Sequence, residues 1–190
     1  MTRRPTLETD RLILRPFTLD DASDVQQLAG AFEIADTTLN IPHPYEDGMA
    51  EAWIGTHAES FASGRDITFA IARKADGTLL GSISLMGIEP DHKAEIGYWV
   101  GVPYWGDGIC TEAAEAVVRY GIETLGLMRI HAYHITRNPA SGRVMQKLGM
   151  THEGHRPQHA RRGDQLEDIE MYGLLATDWK LAASPKTASP

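Results

Sequence analysis

The sequence predicts an α+β domain in which a central, mixed and mostly antiparallel twisted sheet of about six to seven strands is flanked by helices. Three observations lead to this prediction. Apolar residues alternate or run continuously in several short segments, hairpin strands dominate the first half, and helices separate the later strands. The element order is roughly β-α-α-β-β-β-α-β-α-β, which is typical of helices packed on the faces of a mixed sheet.

The first third of the chain predicts one strand and two helices. Leu7–Phe17 alternates apolar and polar residues, which favours a half-buried strand. A threonine with an acid three residues later forms a variant capping box, and it opens a helix over residues 18–31. After a proline break at residues 42–44, Asp47–Gly64 carries apolar side chains at helical spacing.

The middle of the chain predicts a hairpin and a further strand. Ile67–Ala72 and Leu79–Ile88 flank Asp76-Gly77, a strong turn signal. A strand follows over Ala94–Val102, and Pro103 stops it.

The last third predicts two helices between strands. A helix over Thr111–Leu125 is closed by glycine, and a strand follows over Arg129–Thr136. Asn138 is a good N-cap for a short helix that ends at Gly149. We expect a possible short strand over residues 150–155, a basic loop over 156–168, and a last strand over Leu166–Leu175.

Length and composition predict one domain over residues 1–180 and a disordered tail over 181–190, which is small and proline-rich. The chain has 190 residues and a single cysteine, Cys110, so an internal disulfide is excluded. The start lacks the apolar core of a signal peptide, and no run approaches the roughly 18 residues of a membrane span. We expect a cytoplasmic protein, monomeric or homodimeric, with no membrane contact.

Net charge argues against nucleic acid as a partner. Lysine and arginine number 18 against 26 acidic residues, which gives a formal charge of −8. A phosphate backbone needs basic surface, whereas an acidic protein weakly favours cationic or neutral partners.

A glycine-containing loop after the fourth strand is the most informative stretch. Gly106 and Gly108 stand between a strand and a helix, so free backbone amides and the helix dipole converge on one point. This predicts a pyrophosphate cradle. A P-loop is excluded because no Gly-Lys pair exists, and a dinucleotide fingerprint is excluded because Thr111 replaces its third glycine. The alternative is a tight turn that binds nothing.

The strand before this loop carries two further glycines. Glu95, Gly97, Trp99 and Gly101 share one face because side chains alternate along a strand. Glycine weakens a strand unless something must approach the backbone closely. The pattern therefore predicts a ligand lying along this strand beside an acidic residue.

These segments resemble a known family. Gly97–Val100, Trp105–Ala113, Asn138–Met150 and the opening Leu7–Pro16 look like the GNAT superfamily of acetyl-CoA-dependent N-acetyltransferases. Within it they resemble the Rim-type ribosomal-protein N-terminal acetyltransferases. The resemblance covers most of residues 6–176 and implies a single GNAT-like domain with acetyl-CoA as cosubstrate.

The resemblance also implies the cofactor contacts. The backbone of Val100 and Val102 would pair with the pantetheine arm, and Asn138 would hydrogen-bond to it. Pro103 departs from the family's phosphate-binding pattern at its first position, which backbone binding tolerates. Arg143 and Arg137 are candidates for the 3′-phosphate, against plain surface arginines. The pyrophosphate would be wrapped by Trp105, Gly106, Asp107, Gly108, Ile109, Cys110 and Thr111.

Proton transfer has two candidate residues. Glu95 is the candidate base, acting through a water, against a solvated strand acid. Many family members have a tyrosine acid where this chain has Met145, and the Rim-like branch implies Ser141 instead. The alternatives are a helix-surface serine and a coenzyme A thiolate that leaves with little help.

Covalent and metal chemistry are the less favoured interpretations. Cys110 lies near a helix N-terminus, but a packed cysteine is the simpler interpretation. His131 and His134 are three apart on a strand and face opposite ways, so they cannot chelate together. His134 would face the active site. A loop cluster of His152, His155 and His159 lacks ligand spacing, and we expect no metal.

The sequence thus predicts acetyl transfer to a primary amine, either a protein N-terminus or a small molecule, by direct attack in a ternary complex. The expected acceptor walls are the Trp53 helix, the turn at Pro42–Tyr45 and the loop over residues 156–168. Two alternatives are a longer acyl group and a coenzyme A-binding sensor without turnover, which Met145 favours.

Overall fold

The computed structural model describes residues 3–183. Among them are six α-helices and eight strands. The helices are α1 (Ala22–Ala29), α2 (Phe32–Thr37), α3 (Met49–Ala62), α4 (Ile109–Arg119), α5 (Pro139–Lys147) and α6 (Ala176–Ala183). The strands are β1 (Leu7–Glu8), β2 (Leu12–Arg15), β3 (Ile67–Arg73), β4 (Leu79–Glu89), β5 (Lys93–Val100), β6 (Arg129–Ile135), β7 (Thr151–Arg162) and β8 (Gln165–Leu175).

All eight strands form one sheet in the order β1-β2-β3-β4-β5-β6-β8-β7. Every neighbouring pair is antiparallel except β5 and β6, which are parallel. The predicted mixed, mostly antiparallel sheet with flanking helices is confirmed, and it has more strands than the six to seven expected.

The parallel pair diverges soon after it begins. β5 and β6 are paired only over Lys93–Glu95 and Arg129–His131. Beyond that point β5 follows β4 as far as Val100, whereas β6 follows β8 as far as Ile135. A gap therefore opens in the middle of the sheet at the carboxyl ends of these two strands, where ligands of parallel strands are commonly bound.

Two helical layers cover the sheet. On one face, here called the α4 face, α4 and α5 bury Val117 and Met145 against strand residues such as Ile130. On the opposite face, here called the α3 face, α1 and α3 bury Val25 and Ile54 in a separate cluster. The central strands therefore bury apolar side chains such as Ile83, Ile96 and Ile130 on the α4 face, whereas their α3 face also carries polar residues.

The amino-terminal elements differ in detail from the prediction. A turn in which the amide of Thr9 donates to the carbonyl of Leu12 (3.0 Å) divides the expected first strand into β1 and β2. The predicted capping interaction is present, since Asp21 accepts from the amide of Thr18 at 2.8 Å. The helix ends at Ala29 rather than Ala31, and the sequence analysis did not predict α2.

The prediction of a loop over residues 156–168 is wrong. β7 extends from Thr151 to Arg162 and turns at Gly163 directly into β8. β7 is an edge strand whose residues are mostly exposed, and two register shifts interrupt its pairing. Apolar alternation is therefore lost, and with it the signal that identifies a strand from sequence.

The remaining boundaries agree closely with expectation. The β3–β4 hairpin and the N-cap of α5 at Asn138 are confirmed. α4 starts two residues earlier than predicted and continues as a π-helical turn over Tyr120–Thr124. α6 includes residues 181–183, which were assigned to the tail, and residues 184–190 lie outside the described chain. No helix over residues 3–183 is long and apolar enough to cross a membrane.

Candidate active site

The loop between β5 and α4 presents backbone amides to the outside. Gly106 and Gly108 have φ of +88° and +76°, a conformation that residues other than glycine rarely adopt. Gly108 is also the N-cap of α4 and has no side chain with which to satisfy the first-turn amides. Nothing lies within 4 Å of a Cβ built on Gly106. The geometry fits an open cradle for an anionic group.

A hydrogen-bonded clamp holds this cradle in place. The Glu112 carboxylate in the first turn of α4 accepts from Thr9 Oγ1 at 2.6 Å and from Arg11 Nε at 2.6 Å. Arg11 Nη1 also donates to the carbonyl of Asp107 at 3.1 Å. Burial opposes it, but these hydrogen bonds and the guanidinium charge lower the pKa of Glu112. Sequence reasoning missed this clamp, because its members are about 100 residues apart.

The backbone of Val100 lies beside the gap between β5 and β6. The amide of Gly101 donates to Leu80 on β4 at 2.8 Å, so the polar groups of Val100 point the opposite way. Its carbonyl accepts from the indole of Trp105 at 2.6 Å, and its amide remains directed into the gap. Val102 has left the strand and lies in a short 3-10 turn.

Two side chains that were predicted to contact coenzyme A, on the far side of the gap, are hydrogen-bonded to groups of the protein itself. Asn138 Oδ1 accepts from the amide of Ser141 at 3.3 Å, and its Nδ2 donates to the carbonyl of Thr37 at 3.2 Å. Arg137 is paired with Asp36 (2.8 Å) and Glu167 (2.9 Å), which occupies its guanidinium. Arg143 is exposed on α5 and so is the better placed of the two arginine candidates.

The strand glycines have a different explanation from the one expected. A Cβ on Gly97 would lie 2.6 Å from Met86 Cε, and one on Gly101 would lie 2.7 Å from Leu28 Cδ2. Both glycines therefore make room for side chains of the protein itself. This packing explains both glycines without a ligand along this face, so they are not evidence for one.

Glu95 lies where the parallel strands separate. It forms the last β5–β6 pair, opposite His131, and its side chain is 28% exposed. Glu95 Oε2 is 3.8 Å from His131 Nε2. Burial raises the pKa of Glu95 and lowers that of His131, since desolvation disfavours both charged forms.

A cavity of about 270 Å³ opens beside this carboxylate on the α3 face. Glu95 lies at one end of its lining, and the rest comes from β6, β7 and β8. Apart from Glu95, the lining residues are His131, Tyr133, His159, Ala160, Ile169 and Met171.

Some residues that the sequence placed near the acceptor do not line this cavity. His134 does not face the cavity; it is 8% exposed and stacks on Tyr172, on the α4 face. The histidine beside Glu95 is His131, as the alternation along β6 requires. Trp53 packs edge-on against Phe17 in the core. Neither Trp53 nor the turn at Pro42–Tyr45 is among the residues that line this cavity.

On the α4 face, Ser141 occupies the first turn of α5 beside Tyr98 of β5. The two hydroxyl oxygens are 3.1 Å apart. Met145 is 1% exposed and belongs to the core, so it supplies no polar group here. Burial raises the pKa of the Cys110 thiol to about 12, which keeps it protonated and argues against a nucleophile.

The histidines form no metal centre in the part of the chain that the structure describes. His152 and His155 both contact Glu170, at 2.7 and 2.8 Å. These contacts lower the pKa of Glu170 to about 2. They lie on β7 and β8, whereas His159 lines the cavity beside Glu95.

Comparison with known families gives a match over most of the fold. The family model described as the acetyltransferase (GNAT) domain matches residues 11–151. This range includes the cradle, Glu95 and the first turn of α5.

Curated proteins similar to this chain include bacterial N-acetyltransferases. An uncharacterized N-acetyltransferase, YoaA, from Bacillus subtilis (strain 168) is 33% identical over 174 residues, which cover 90% of this chain and 97% of that protein. The [ribosomal protein uS5]-alanine N-acetyltransferase of Escherichia coli (strain K12) is 25% identical over 182 residues, covering 91% and 92%.

Solved structures share the fold. A GNAT-family acetyltransferase from Bacillus anthracis has a TM-score of 0.81 at 24% identity and covers 91% of this chain and 99% of its own. RimL, a ribosomal L7/L12 α-N-protein acetyltransferase in complex with coenzyme A, has a TM-score of 0.80 at 19% identity, covering 92% and 99%.

Proposed function

The chain belongs to the GNAT family of acyl-CoA-dependent acetyltransferases, and we propose that it transfers an acetyl group from acetyl-CoA directly to a primary amine in a ternary complex. The observation that carries this proposal is the position of Glu95. Its carboxylate lies at the point where β5 and β6 diverge, between the gap and a cavity on the α3 face.

The acyl donor fits the gap and the cradle at its end. The amides around Gly106, Gly108 and Ile109 suit a diphosphate, because an uncapped helix N-terminus and positive-φ glycines favour a bulky anion. The inward-facing amide of Val100 suits an amide group of the pantetheine arm. Acetyl-CoA would supply a thioester, whose acyl carbon accepts an amine. Coenzyme A is bound by RimL, a protein of the same fold.

The acceptor amine fits the cavity beside Glu95. Its floor is apolar, from Ile169 and Met171, and its one carboxylate is at the end nearest the gap. An alkylammonium group would be drawn to that carboxylate, and its apolar stem would cover the floor. The volume of about 270 Å³ suits one small group, such as the first residue of a peptide or a small amine.

The proton balance assigns a role to Glu95. An ammonium group must lose a proton before its nitrogen can attack the acyl carbon. Glu95 accepts that proton, directly or through a water, and the raised pKa that burial gives it makes it a stronger base than an exposed glutamate. The nitrogen forms the C–N bond and releases its second proton to water, and the C–S bond breaks with its electron pair on sulfur.

The acceptor is proposed by class. A relative of this chain is named [ribosomal protein uS5]-alanine N-acetyltransferase, and RimL, which has the same fold, is named a ribosomal L7/L12 α-N-protein acetyltransferase. We therefore propose a peptide N-terminus as the first acceptor to try and small primary amines as the second.

The experiment combines binding and turnover. Calorimetry with acetyl-CoA and coenzyme A measures the donor site, and thiol release with a panel of peptides and small amines measures transfer. We expect acetyl-CoA to bind and at least one amine to be acetylated at nitrogen, as identified by mass spectrometry.

Two results would contradict the proposal separately. No binding at millimolar acetyl-CoA removes the donor site. Binding without thiol release across the whole panel removes the transferase role and favours a sensor. Faster thiol release from a longer acyl-CoA than from acetyl-CoA would instead show that the preferred donor carries a longer acyl group.

A further inference from the structure

The departing sulfur is the second centre of charge in the proposed reaction. When the C–S bond breaks, the electron pair stays on sulfur, and a hydrogen-bond donor nearby stabilises the resulting thiolate. Met145 has no proton to give and is buried in the core. Ser141 is then the hydroxyl on α5 that the resemblance implies for this role.

Ser141 does not stand alone. The phenol oxygen of Tyr98 lies 3.1 Å from Ser141 Oγ and 3.2 Å from the carbonyl oxygen of Ser141. Tyr98 projects from β5 onto the α4 face, opposite the face of Glu95, and is partly buried against the core. The base and this hydroxyl pair thus lie on opposite sides of the sheet next to the same gap.

The two hydroxyl protons of this pair allow two arrangements of hydrogen bonds. Each hydroxyl has one proton, and each oxygen can also accept. If Tyr98 donates to the carbonyl oxygen, Ser141 is left to donate to Tyr98. If Tyr98 donates to Ser141 Oγ, the serine proton is free for a third atom. Burial raises the pKa of Tyr98, so the phenol remains a donor at neutral pH.

We propose that Tyr98 is a positioning residue: its O–H donates to Ser141 Oγ and thereby directs the serine proton to the sulfur of the acyl donor. This inference rests on the proposed function and deepens it. Tyr98 occupies an ordinary core-facing position of the strand, so its sequence position gives no signal of this role.

The pair stabilises the thiolate without giving up a proton. A free thiol has a pKa of about 8.5, whereas the pKa of a serine hydroxyl is far higher, because the hydroxyl holds its proton about as tightly as water does. Complete transfer from Ser141 to sulfur is therefore uphill by several orders of magnitude. Both hydroxyls keep their protons, the first proton of the ammonium group goes to Glu95, and the proton that the nitrogen loses after its attack goes to water. The thiolate takes its own proton from solvent after release.

The test uses a readout besides turnover. Coenzyme A and desulfo-coenzyme A are titrated into the full chain at several pH values, and the ratio of their affinities reports how strongly the site prefers the bound thiolate. We expect that ratio to rise with pH in the wild type. In Tyr98→Phe and in Ser141→Ala it falls about tenfold, the size of one hydrogen bond to a charged group.

Steady-state kinetics of acetyl transfer are the second measurement. Each single variant should lower kcat about tenfold with little change in KM for acetyl-CoA, and the double variant should be no slower than Ser141→Ala. Tyr120→Phe is the matched control, because Tyr120 is a half-buried tyrosine that packs against Phe69 away from the gap. We expect it to resemble the wild type in both assays.

The outcomes are separable from those of the proposed function. Wild-type affinity ratios and kcat in Tyr98→Phe would overturn the role of Tyr98, as would losses that multiply in the double variant. A wild type that acetylates no amine, yet shows the thiolate preference and loses it in Tyr98→Phe, would support this inference and reject the transferase. Absence of coenzyme A binding would overturn both.

Discussion

The cradle at the start of α4 and the cavity beside Glu95 are built in opposite ways. The cradle is contiguous, since its amides come from one loop and one helical turn between Trp105 and Thr111. The cavity is assembled from side chains spread between Glu95 and Met171, on four strands. One region is set by local backbone conformation, and the other exists only after the sheet has formed.

This difference suggests a division of labour. A cradle made of amides recognises a phosphate group whatever side chains surround it, so it suits a donor that stays the same. A cavity lined by side chains changes with every substitution, so it suits an acceptor that differs between relatives. If the two regions act independently, a substitution in one region should leave the substrate of the other bound as in the wild type.

The largest effect is expected from Glu95→Gln. Removing the base should lower kcat about 100-fold, the lower end of general-base contributions, and leave acetyl-CoA affinity unchanged. The wild-type rate should fall as pH drops through the Glu95 pKa, which burial raises above its usual value. The variant should lack this acid limb. Steady-state rates across pH measure both effects.

Glu115→Gln is the control for this variant, because Glu115 is an exposed glutamate on α4. A Glu95→Gln enzyme with the rate and pH profile of Glu115→Gln would show that another group takes the amine proton.

A smaller effect is expected in the cradle. Gly108→Ala places a side chain at φ +76°, which strains the loop and displaces the amides. We expect about tenfold weaker coenzyme A binding by calorimetry. Gly126→Ala carries the same strain at φ +73°, at the end of the helical segment and away from the cradle. It should lower Tm but keep coenzyme A affinity, and equal binding losses in both variants would point to general destabilisation.

A filled cavity should affect the acceptor alone. Ala160→Phe adds an aromatic ring to the lining of the 270 Å³ cavity. We expect KM for the amine to rise several-fold while acetyl-CoA affinity stays as in the wild type. Ala62→Phe adds the same bulk at the exposed end of α3 and serves as control. An unchanged KM in Ala160→Phe would move the acceptor site elsewhere.

The smallest effect concerns pH and belongs to neither region. His57 lies on α3 between Phe17 and Trp53, and burial, aided by Arg4, lowers its pKa from 6.5 to about 4. Between these two pKa values, His57 is protonated in the unfolded chain and neutral in the folded chain. The contribution of neutral His57 to the free energy of unfolding is therefore fully present above about pH 6.5, and it declines as the pH falls from there toward about 4.

Thermal unfolding of His57→Leu measures this contribution. Its Tm should depend less on pH over that window than the wild-type Tm does. Parallel Tm curves would assign the acid sensitivity to other groups. The measurement also shows where the loss of the fold begins, so that the Glu95 limb is not confused with it.

The sequence predicted the contiguous region better than the assembled one. Gly106, Gly108 and the N-cap Asn138 are short-range signals, and they placed the start of α5 correctly and the start of α4 within two residues. Glu95 was chosen because it shares a strand face with Gly97 and Gly101, although those glycines make room for protein side chains.

What the sequence missed depends on tertiary contact. His131 became a partner of Glu95 only through the parallel register of β5 and β6. The Arg11–Glu112 clamp joins residues 101 apart. The edge position of β7 removed the alternation that identifies a strand, so the cavity wall was expected to be a loop.

The central claim is that backbone amides of the β5–α4 loop bind the diphosphate of the acyl donor. Amide chemical shifts recorded during a coenzyme A titration test it most directly. The account predicts the largest changes at the amides of residues 106–111 and at Val100. Saturation with those amides unmoved, and the changes concentrated elsewhere, would contradict it.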